Sequence, residues 1–202
     1  MNLYEKLCAI AGEENVLQDE PMSGHTTFRI GGPADFFVTP SKAEEIRRII
    51  ELCRAEKVPY YVVGNGSNLL VGDKGYRGVI IQIYKNMNRI SVAGEEISVQ
   101  AGALLSKVAA AACEAELEGM EFASGIPGTM GGAVRMNAGA YGGEMKQVLK
   151  MAVVLTPEGE IVTIPAEEMG MGYRTSIVSK MDYVVLEAVL SLKRGRKAEI
   201  RA

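Results

Sequence analysis

Apolar residues in the first half of the chain follow a helical period and then a strand period. The spacing predicts an amphipathic helix over residues 3–10 and a strand over 34–39. Ser41 and Glu44 have the spacing of a capping box, which predicts the start of a second helix. The apolar face of that helix is expected to consist of Ile46, Ile49, Ile50 and Cys53.

Pro59 ends this helical pattern, and two apolar runs follow it. The runs at 60–64 and 79–84 are short and rich in Val, Ile and Tyr, which predicts buried strands. Strand, helix and strand at these lengths predict a βαβ unit that ends near residue 85.

The second half of the chain has an antiparallel pattern. Residues 89–101 predict one hairpin, which turns at Ala93 and Gly94, and residues 152–164 predict another. A last strand is predicted over 183–192. One face of this strand is expected to carry Leu186, Ala188, Leu190 and Leu192.

One alanine-rich stretch interrupts these strands. Residues 104–118 predict a helix, and Gly119 is expected just past its end, where glycine often stops helices. Together the elements predict an α+β fold. It would comprise a βαβ subdomain over residues 1–85 and a second, mainly antiparallel subdomain over 86–202.

Composition and charge exclude several functional classes. The chain has 202 residues and a formal net charge of −3, so it lacks the basic surplus typical of nucleic-acid-binding proteins. No apolar run approaches the roughly 18 residues of a membrane span, and the start of the chain lacks an uncharged signal-peptide core. Three separated cysteines, Cys8, Cys53 and Cys113, predict reduced thiols rather than disulfides or a zinc site. We therefore expect a soluble, cytoplasmic protein without a nucleic-acid or membrane partner and without a metal.

A glycine loop follows the strand predicted at 60–64. Its sequence, GNGSN at 64–68, is not a Walker A loop, because no Gly-Lys-Ser/Thr follows. It is not a dinucleotide fingerprint either, because the third glycine position is Leu69. Glycine permits close approach of the backbone, so successive N–H groups can converge here on an anion. The alternative is a plain turn between strands, for which Asn-Gly is also favoured.

A second glycine cluster lies at 124–143, with the sequence SGIPGTMGGAVRMNAGAYGG. It contains seven of the 23 glycines of the chain. Each ordered glycine costs backbone entropy, so this density predicts close approach of the main chain to a bulky polar ligand. Disorder is the alternative, but interleaved apolar residues favour a packed loop: Ile126, Met130, Val134 and Met136. Two such loops suit a long cofactor that contains a diphosphate.

Four segments of the chain match the motifs of a known family in order and spacing. They are TTFRIGGPADFFV at 26–38, GNGSNLLV at 64–71, GIPGTMGGAVRMNAGAYGGE at 125–144 and GYRTS at 172–176. Together they resemble the UDP-N-acetylenolpyruvoylglucosamine reductases, the MurB family. The resemblance implies a two-subdomain FAD-binding fold of the vanillyl-alcohol oxidase type, also called the PCMH type. It also implies an oxidoreductase of peptidoglycan precursor synthesis.

The resemblance implies which residues hold FAD. The pyrophosphate would be received by Gly64, Asn65, Gly66, Ser67 and Asn68. The flavin and its diphosphate would be lined by Gly125, Ile126, Pro127, Gly128, Thr129, Gly131 and Gly132. Both segments are therefore expected to contact the same dinucleotide. Neither His25 nor a cysteine matches a covalent flavin attachment, so the cofactor would be bound noncovalently, and His25 is expected to be a local hydrogen-bonding group.

The same resemblance implies the reaction. NADPH would reduce the flavin, which would pass hydride to the enolpyruvyl double bond of a UDP-sugar, yielding UDP-N-acetylmuramate. Arg174 occupies the family's position for stabilising the developing enediolate charge, and Tyr173 is expected to contact the substrate. Ser176 and Ser179 do not match the proton-donor motif, which would fall after Ala202 in a substrate domain. The chain is therefore expected to be an FAD-binding portion that is inactive alone.

Two alternatives stay open. One is another oxidoreductase of the same flavin fold, acting on an alcohol or hydroxy acid, although GYRTS and MNAGAYGGE are not expected in such enzymes. The other is a noncatalytic module that binds flavin or a nucleotide. The sequence does not indicate the role of Arg135, the oligomeric state or a preference for NADPH over NADH.

Overall fold

The computed structural model describes residues 1–200. The chain divides into two compact units, Met1–Met87 and a second unit that begins at Asn88. Among the described residues, no helix combines the length and the apolar character that crossing a bilayer requires.

The first unit contains a four-stranded mixed sheet and two helices. The helices are α1 (Leu3–Ala11) and α2 (Ala43–Ala55), and the strands are β1 (Val16–Pro21), β2 (Pro33–Val38), β3 (Tyr60–Val63) and β4 (Tyr76–Gln82). Their spatial order is β1-β2-β4-β3, with β2, β4 and β3 parallel and β1 antiparallel to β2. The predicted βαβ unit is present, and β4 lies between the two strands that α2 connects. The apolar run at 79–84 predicted both ends of β4 a few residues too late.

Helix α2 begins with a different cap from the one predicted. Its N-cap is Lys42, and Ser41 bonds Glu45 through its backbone N–H (2.7 Å) and its hydroxyl (3.1 Å). Glu44 accepts a hydrogen bond from Arg47 (2.9 Å). The capping-box prediction was wrong because the helix starts one residue later, which moves Ser41 out of the cap position. The predicted apolar face is buried as expected: Ile46, Ile49, Ile50 and Cys53.

An apolar cluster in the first unit anchors the segment that follows β3. Its buried centre consists of Met22, Ala34, Phe37, Val63 and Ile80. Leu69 and Val71 pack against this centre. Both residues come directly after the glycine loop at 64–68, so the apolar residues that resume there fix the loop to the sheet.

The second unit is built around a five-stranded antiparallel sheet. Its helices are α3 (Leu105–Glu114), α4 (Met130–Arg135), α5 (Ile177–Lys180) and α6 (Lys197–Ile200). Its strands are β5 (Ile90–Ala93), β6 (Glu96–Gln100), β7 (Leu117–Glu118), β8 (Gly139–Ala140), β9 (Gly143–Glu144), β10 (Leu149–Leu155), β11 (Ile161–Pro165), β12 (Val184–Ser191) and β13 (Lys193–Arg194). The main sheet has the order β11-β10-β12-β6-β5, while β7 pairs with β13 and β8 with β9. The predicted α+β class is confirmed.

Both predicted hairpins are present, but the predicted helix is shorter. Strand β5 pairs with β6 around Gly94, and β10 pairs with β11. Helix α3 ends at Glu114 instead of continuing over 104–118. Glu116 has a left-handed φ of +56°, which a continuous right-handed helix excludes, and the chain then enters β7. Gly119 therefore does not end the helix, and that prediction was wrong.

Strand β12 is buried on both faces. The predicted inward face is buried: Leu186, Ala188, Leu190 and Leu192. Val185 and Val189, which alternate with these residues, are buried as well. Helix α4 packs against β12, the central strand of its sheet, and covers one of these faces.

Candidate functional site

The 64–68 loop lies against residues 25–27 of the same unit. Gly66 has a φ of +69°, and a Cβ built on it would lie well under 3.0 Å from the carbonyl oxygen of His25. Thr27 donates its N–H to the carbonyl of Gly66 (3.2 Å). Any side chain at this position would enter the neighbouring backbone, so only glycine fits. This glycine is therefore required by the conformation of the loop itself.

His25 is held on two sides. Its ring stacks on Phe37 with centroids 3.9 Å apart, and its Nε2 lies 2.8 Å from Oε1 of Glu20. The next residue, Thr26, donates its hydroxyl to the carbonyl of Ile30 (2.9 Å). His25 is thus a local hydrogen-bonding group, as expected from the sequence, and its backbone shapes the 64–68 loop.

The N–H groups and polar side chains of the 64–68 loop make no hydrogen bonds within the described residues. Within residues 1–200, none of its five backbone N–H groups donates a hydrogen bond. The side chains of Asn65, Ser67 and Asn68 also make no hydrogen bond within that part of the chain. Consecutive amides, a hydroxyl and two carboxamides are donors suited to an anion such as a diphosphate. The loop therefore fits the pyrophosphate-binding role expected of it.

Part of the glycine density at 124–143, here called the glycine segment, has a structural cause. An added Cβ on Gly131 would lie 3.0 Å from the Cβ of Ala101. On Gly143 it would lie 2.7 Å from the ring of Phe122. Close packing within the unit therefore favours glycine at 143 and leaves little room for a side chain at 131. Glycine density by itself therefore does not identify ligand contacts.

Two other glycines of the segment are not explained by packing. An added Cβ on Gly125 would have no atom within 4 Å, and one on Gly132 would meet only the hydroxyl of Thr129, at 3.7 Å. Neither glycine has a left-handed φ. Within the described chain, the N–H groups of Gly125, Thr129 and Gly132 have no acceptor. Open space and available donors coincide at these positions, which fits a backbone that lines a cofactor.

The residues between these positions form a closed turn before α4. Gly128 donates its N–H to the carbonyl of Ile126 (2.9 Å) and accepts a hydrogen bond from the N–H of Leu105 (2.9 Å). Pro127 is exposed, whereas the side chain of Thr129 is buried. The main chain here is therefore fixed by its own hydrogen bonds.

Arg174 lies in a tight turn over residues 172–175, here called the Arg174 turn. Gly172 donates its N–H to the carbonyl of Thr175 (3.0 Å) and accepts in return from its N–H (3.3 Å). Arg174 has a φ of +54°, and a left-handed conformation costs a non-glycine residue about 1–2 kcal/mol. Its guanidinium carbon lies 6.0 Å from the ring centroid of Tyr173, a side chain that is 92% exposed. The charged side chain of Arg174 therefore extends from a strained backbone, and strained residues occur at many functional sites.

Asn137 connects the glycine segment to the Arg174 turn. Its Nδ2 donates to the carbonyl of Gly172 (3.1 Å) and to Oε2 of Glu144 (2.7 Å), while its Oδ1 accepts from the N–H of Lys146 (2.9 Å). The hydrogen bond from the Lys146 ammonium lowers the pKa of the Glu144 carboxyl, and Asn137 lowers it further. The glycine segment and the Arg174 turn thus meet within the second unit. Sequence reasoning did not single out Asn137, although it lies inside a quoted motif.

Arg135, whose role the sequence did not indicate, holds helix α5. Its Nη1 donates to the carbonyl of Val178 (3.2 Å), and its own carbonyl accepts from the hydroxyl of Ser176 (2.6 Å). Ser179 in turn donates its hydroxyl to the carbonyl of Ser176 (2.8 Å). Both serine hydroxyls are therefore engaged with backbone carbonyls of the unit.

A large part of the chain matches a known protein family. The family described as "FAD binding domain" matches residues 34–165. The chain belongs to this FAD-binding family. The matched span begins inside β2 and ends with β11, so the 64–68 loop and the glycine segment both lie within the family's domain.

Curated relatives share the sequence over essentially its whole length. The UDP-N-acetylenolpyruvoylglucosamine reductase of Alkaliphilus metalliredigens is 52% identical over 201 residues, which are 100% of this chain and 66% of the relative. The protein of the same name from Clostridium tetani is 50% identical over 98% of this chain and 63% of its own length. The chain therefore spans about two thirds of the length of these relatives. The resemblance expected from the sequence motifs is confirmed.

Solved structures show the same fold. UDP-N-acetylenolpyruvylglucosamine reductase (MurB) from Thermus caldophilus superposes with a TM-score of 0.77 and 36% identity, over 92% of this chain and 64% of that one. p-Cresol methylhydroxylase superposes with a TM-score of 0.69 over 95% of this chain and 43% of its own; at 18% identity it shows the fold alone. The predicted FAD-binding fold of the vanillyl-alcohol oxidase or PCMH type is confirmed.

Proposed function

We propose that this FAD-binding chain is part of an enzyme that uses NADPH to reduce UDP-N-acetylglucosamine enolpyruvate to UDP-N-acetylmuramate, a step of peptidoglycan precursor synthesis. The observation that carries the proposal is the 52% identity over 201 residues to a protein named as a reductase of the enolpyruvyl sugar. Because the chain spans 66% of that relative, the complete reaction is proposed for the protein with a substrate domain.

The chain would hold FAD with two stretches of main chain. The 64–68 loop offers its unpartnered N–H groups to the diphosphate. Gly125, Thr129 and Gly132 would line the flavin, where open space and available donors coincide. When bound, FAD would carry hydride from NADPH to the substrate. The remaining task of the protein is to orient substrate and stabilise charge.

Arg174 would stabilise the negative charge that develops on the substrate carboxylate during reduction. A guanidinium is permanently charged and presents a planar donor fork that matches a carboxylate. Within residues 1–200, the Arg174 guanidinium has no hydrogen bond or ion pair, so its donors are available to a ligand. Donors held in place before charge develops stabilise the transition state most, so the Arg174 turn would have to be held by its surroundings. Tyr173 would contact the substrate beside it.

The reaction also needs a proton at one carbon of the enolpyruvyl double bond, next to the carbon that receives hydride. Ser176 and Ser179 are poor donors because both hydroxyls already donate to backbone carbonyls, at 2.6 and 2.8 Å. We propose that the proton comes from a residue outside these 202 residues. The isolated chain should therefore bind flavin but turn over poorly or not at all.

A flavin titration tests the cofactor site. Binding should quench the fluorescence of FAD, and NADPH should bleach its visible absorbance under anaerobic conditions. In the protein with its substrate domain, the enolpyruvyl UDP-sugar should restore the absorbance and UDP-N-acetylglucosamine should not. This difference would identify the substrate. Absence of flavin binding would refute the proposal.

A matched pair of variants tests whether the glycine segment lines the flavin. Gly125→Asn and Gly94→Asn make the same change at positions where an added Cβ has no neighbour within 4 Å. Gly94 has a φ of +62°, which asparagine tolerates, and it lies in the β5–β6 turn. We expect Gly125→Asn to weaken FAD binding about tenfold or more, or about 1.4 kcal/mol, and Gly94→Asn to leave it unchanged. Equal affinities for the two variants would contradict the assignment of this segment.

A further inference from the structure

We propose that Asn137 is a positioning residue that sets the Arg174 turn and ties it to the segment expected to line the flavin. The inference rests on the proposed function, in which Arg174 contacts the substrate. It concerns a residue to which sequence reasoning gave no role, and it is carried by hydrogen bonds within the second unit.

The Arg174 turn has little of its own to hold it. The two bonds between Gly172 and Thr175 are its only internal backbone bonds, at 3.0 and 3.3 Å, and both central side chains are exposed. Arg174 also adopts a left-handed φ of +54°. A non-glycine residue stays in such a conformation only when surrounding contacts fix it.

Asn137 supplies such a contact from outside the turn. It is 3% exposed, and all of its side-chain polar atoms are bonded. The carbonyl of Gly172 and the carboxylate of Glu144 can only accept, while the N–H of Lys146 can only donate. The three partners therefore permit one orientation of the carboxamide. Because the Glu144 carboxylate is itself held by Lys146, with 2.6 Å between Nζ and Oε1, the anchor is fixed.

A second bond holds the chain just past the turn. Ser176 is fully buried and donates its hydroxyl to the carbonyl of Arg135 at 2.6 Å. Arg135 is the last residue of α4, and Asn137 follows it closely. The same short helix begins directly after Thr129, one of the residues proposed to line the flavin. The backbone of the Arg174 turn is therefore held from the same stretch of chain as the proposed flavin contacts.

Hydrogen exchange decides whether Asn137 orders the turn. Asn137→Gly removes the side chain without straining the backbone, because Asn137 has a φ of +44°. In the FAD-loaded chain we expect the amides of Gly172 and Thr175 to exchange about tenfold faster or more in this variant, while the amide of Ala188 in β12 stays unchanged. Asn137→Ala, which removes the same three hydrogen bonds without placing a second carboxyl beside Glu144, should give the same pattern if Asn137→Gly does not fold.

Gln147→Ala is the matched control. The side chain of Gln147 accepts from the N–H of Glu144 at 3.0 Å, so it touches the same partner as Asn137 without touching the turn. Exchange at Gly172 and Thr175 should be unaffected by this change. Unaltered exchange in both Asn137 variants would overturn the proposal.

A double-mutant cycle decides whether Asn137 acts through Arg174. The measured quantity is the dissociation constant of the enolpyruvyl UDP-sugar in the protein with its substrate domain, read from the absorbance of bound flavin. We expect Asn137→Gly to weaken binding about tenfold in the wild-type background and less than about twofold in an Arg174→Ala background. Losses that simply multiply would assign Asn137 a role independent of Arg174 and overturn the proposal. A protein with its substrate domain that binds flavin but not the sugar would refute the proposed substrate, and the exchange result would still decide the role of Asn137.

Discussion

Replacing Gly66 with alanine is the sharpest test of how the fold shapes the candidate cofactor loop. The new Cβ would lie well under 3.0 Å from the His25 carbonyl oxygen, a distance that real Cβ atoms essentially never show. The φ of +69° adds a second cost. Removing this steric clash requires that the 64–68 loop and residues 25–27 move apart. That movement breaks the hydrogen bond from the Thr27 N–H to the Gly66 carbonyl.

The expected magnitude follows from these separate costs. A left-handed alanine costs about 1–2 kcal/mol, and the broken hydrogen bond about 1 kcal/mol. Gly66→Ala should therefore lower the free energy of unfolding by about 2–3 kcal/mol, a large share of the 5–15 kcal/mol typical of a domain. Displaced amides should also lose contact with an anion. If two charge-assisted bonds of about 1.5 kcal/mol each are lost, FAD affinity falls about 100-fold.

Urea unfolding and a fluorescence titration with FAD measure the two effects. Gly94→Ala separates backbone strain from collision, because Gly94 has a similar φ of +62° but no atom within 4 Å of an added Cβ. This control should lose only the strain cost of about 1–2 kcal/mol and no FAD affinity. If Gly66→Ala matched the control in both assays, the collision argument and the placement of FAD at this loop would both be refuted.

Two substitutions and the reactivity of a buried thiol test other parts of the structure. Arg174→Gly removes the left-handed strain and should raise the free energy of unfolding by about 0.5–1 kcal/mol in urea; a loss of stability would contradict the strain argument. Ser176→Ala leaves the Arg135 carbonyl without its 2.6 Å partner and should cost about 1–2 kcal/mol in the same assay. Burial raises the pKa of the Cys53 thiol to about 11. At about pH 8, Ellman's reagent should therefore modify the native protein only at the half-buried thiols, Cys8 and Cys113. Because the folded state keeps the Cys53 proton to higher pH than the unfolded state, this residue should lower stability as pH rises from about 9 towards 11. Modification of all three thiols without denaturant would contradict this burial.

Local features of the sequence predicted the elements that depend on local geometry. The β5–β6 hairpin follows from strand periods around Gly94, and the apolar face of α2 follows from helical spacing. The predicted cap of α2 was wrong because the helix starts one residue later than its sequence pattern indicates. The predicted end of α3 was wrong because the left-handed conformation of Glu116 ends a helix that the composition alone would continue. Neither effect has a strong sequence signal.

The candidate site was predicted as a set of segments but not as a network. The motifs identified the 64–68 loop, the glycine segment and Arg174. Glycine is required at position 66 by a close backbone contact with His25, and Asn137 reaches the Arg174 turn by a hydrogen bond to the carbonyl of Gly172. These partners are far apart in sequence, so periodicity and composition carry no information about them. The glycines packed against Ala101 and Phe122 show the same limit, because composition alone cannot separate packing from ligand contact.

The order of strands in the first unit has a consequence for synthesis on the ribosome. Strand β4 is the last of the four to be made, yet it occupies an interior place between β2 and β3. A nascent chain that stops before Tyr76 therefore lacks the strand on which both neighbours pair. The 64–68 loop, which follows β3, is therefore expected to reach its mature shape only once β4 has left the exit tunnel, and the FAD binding proposed for this loop would follow that point.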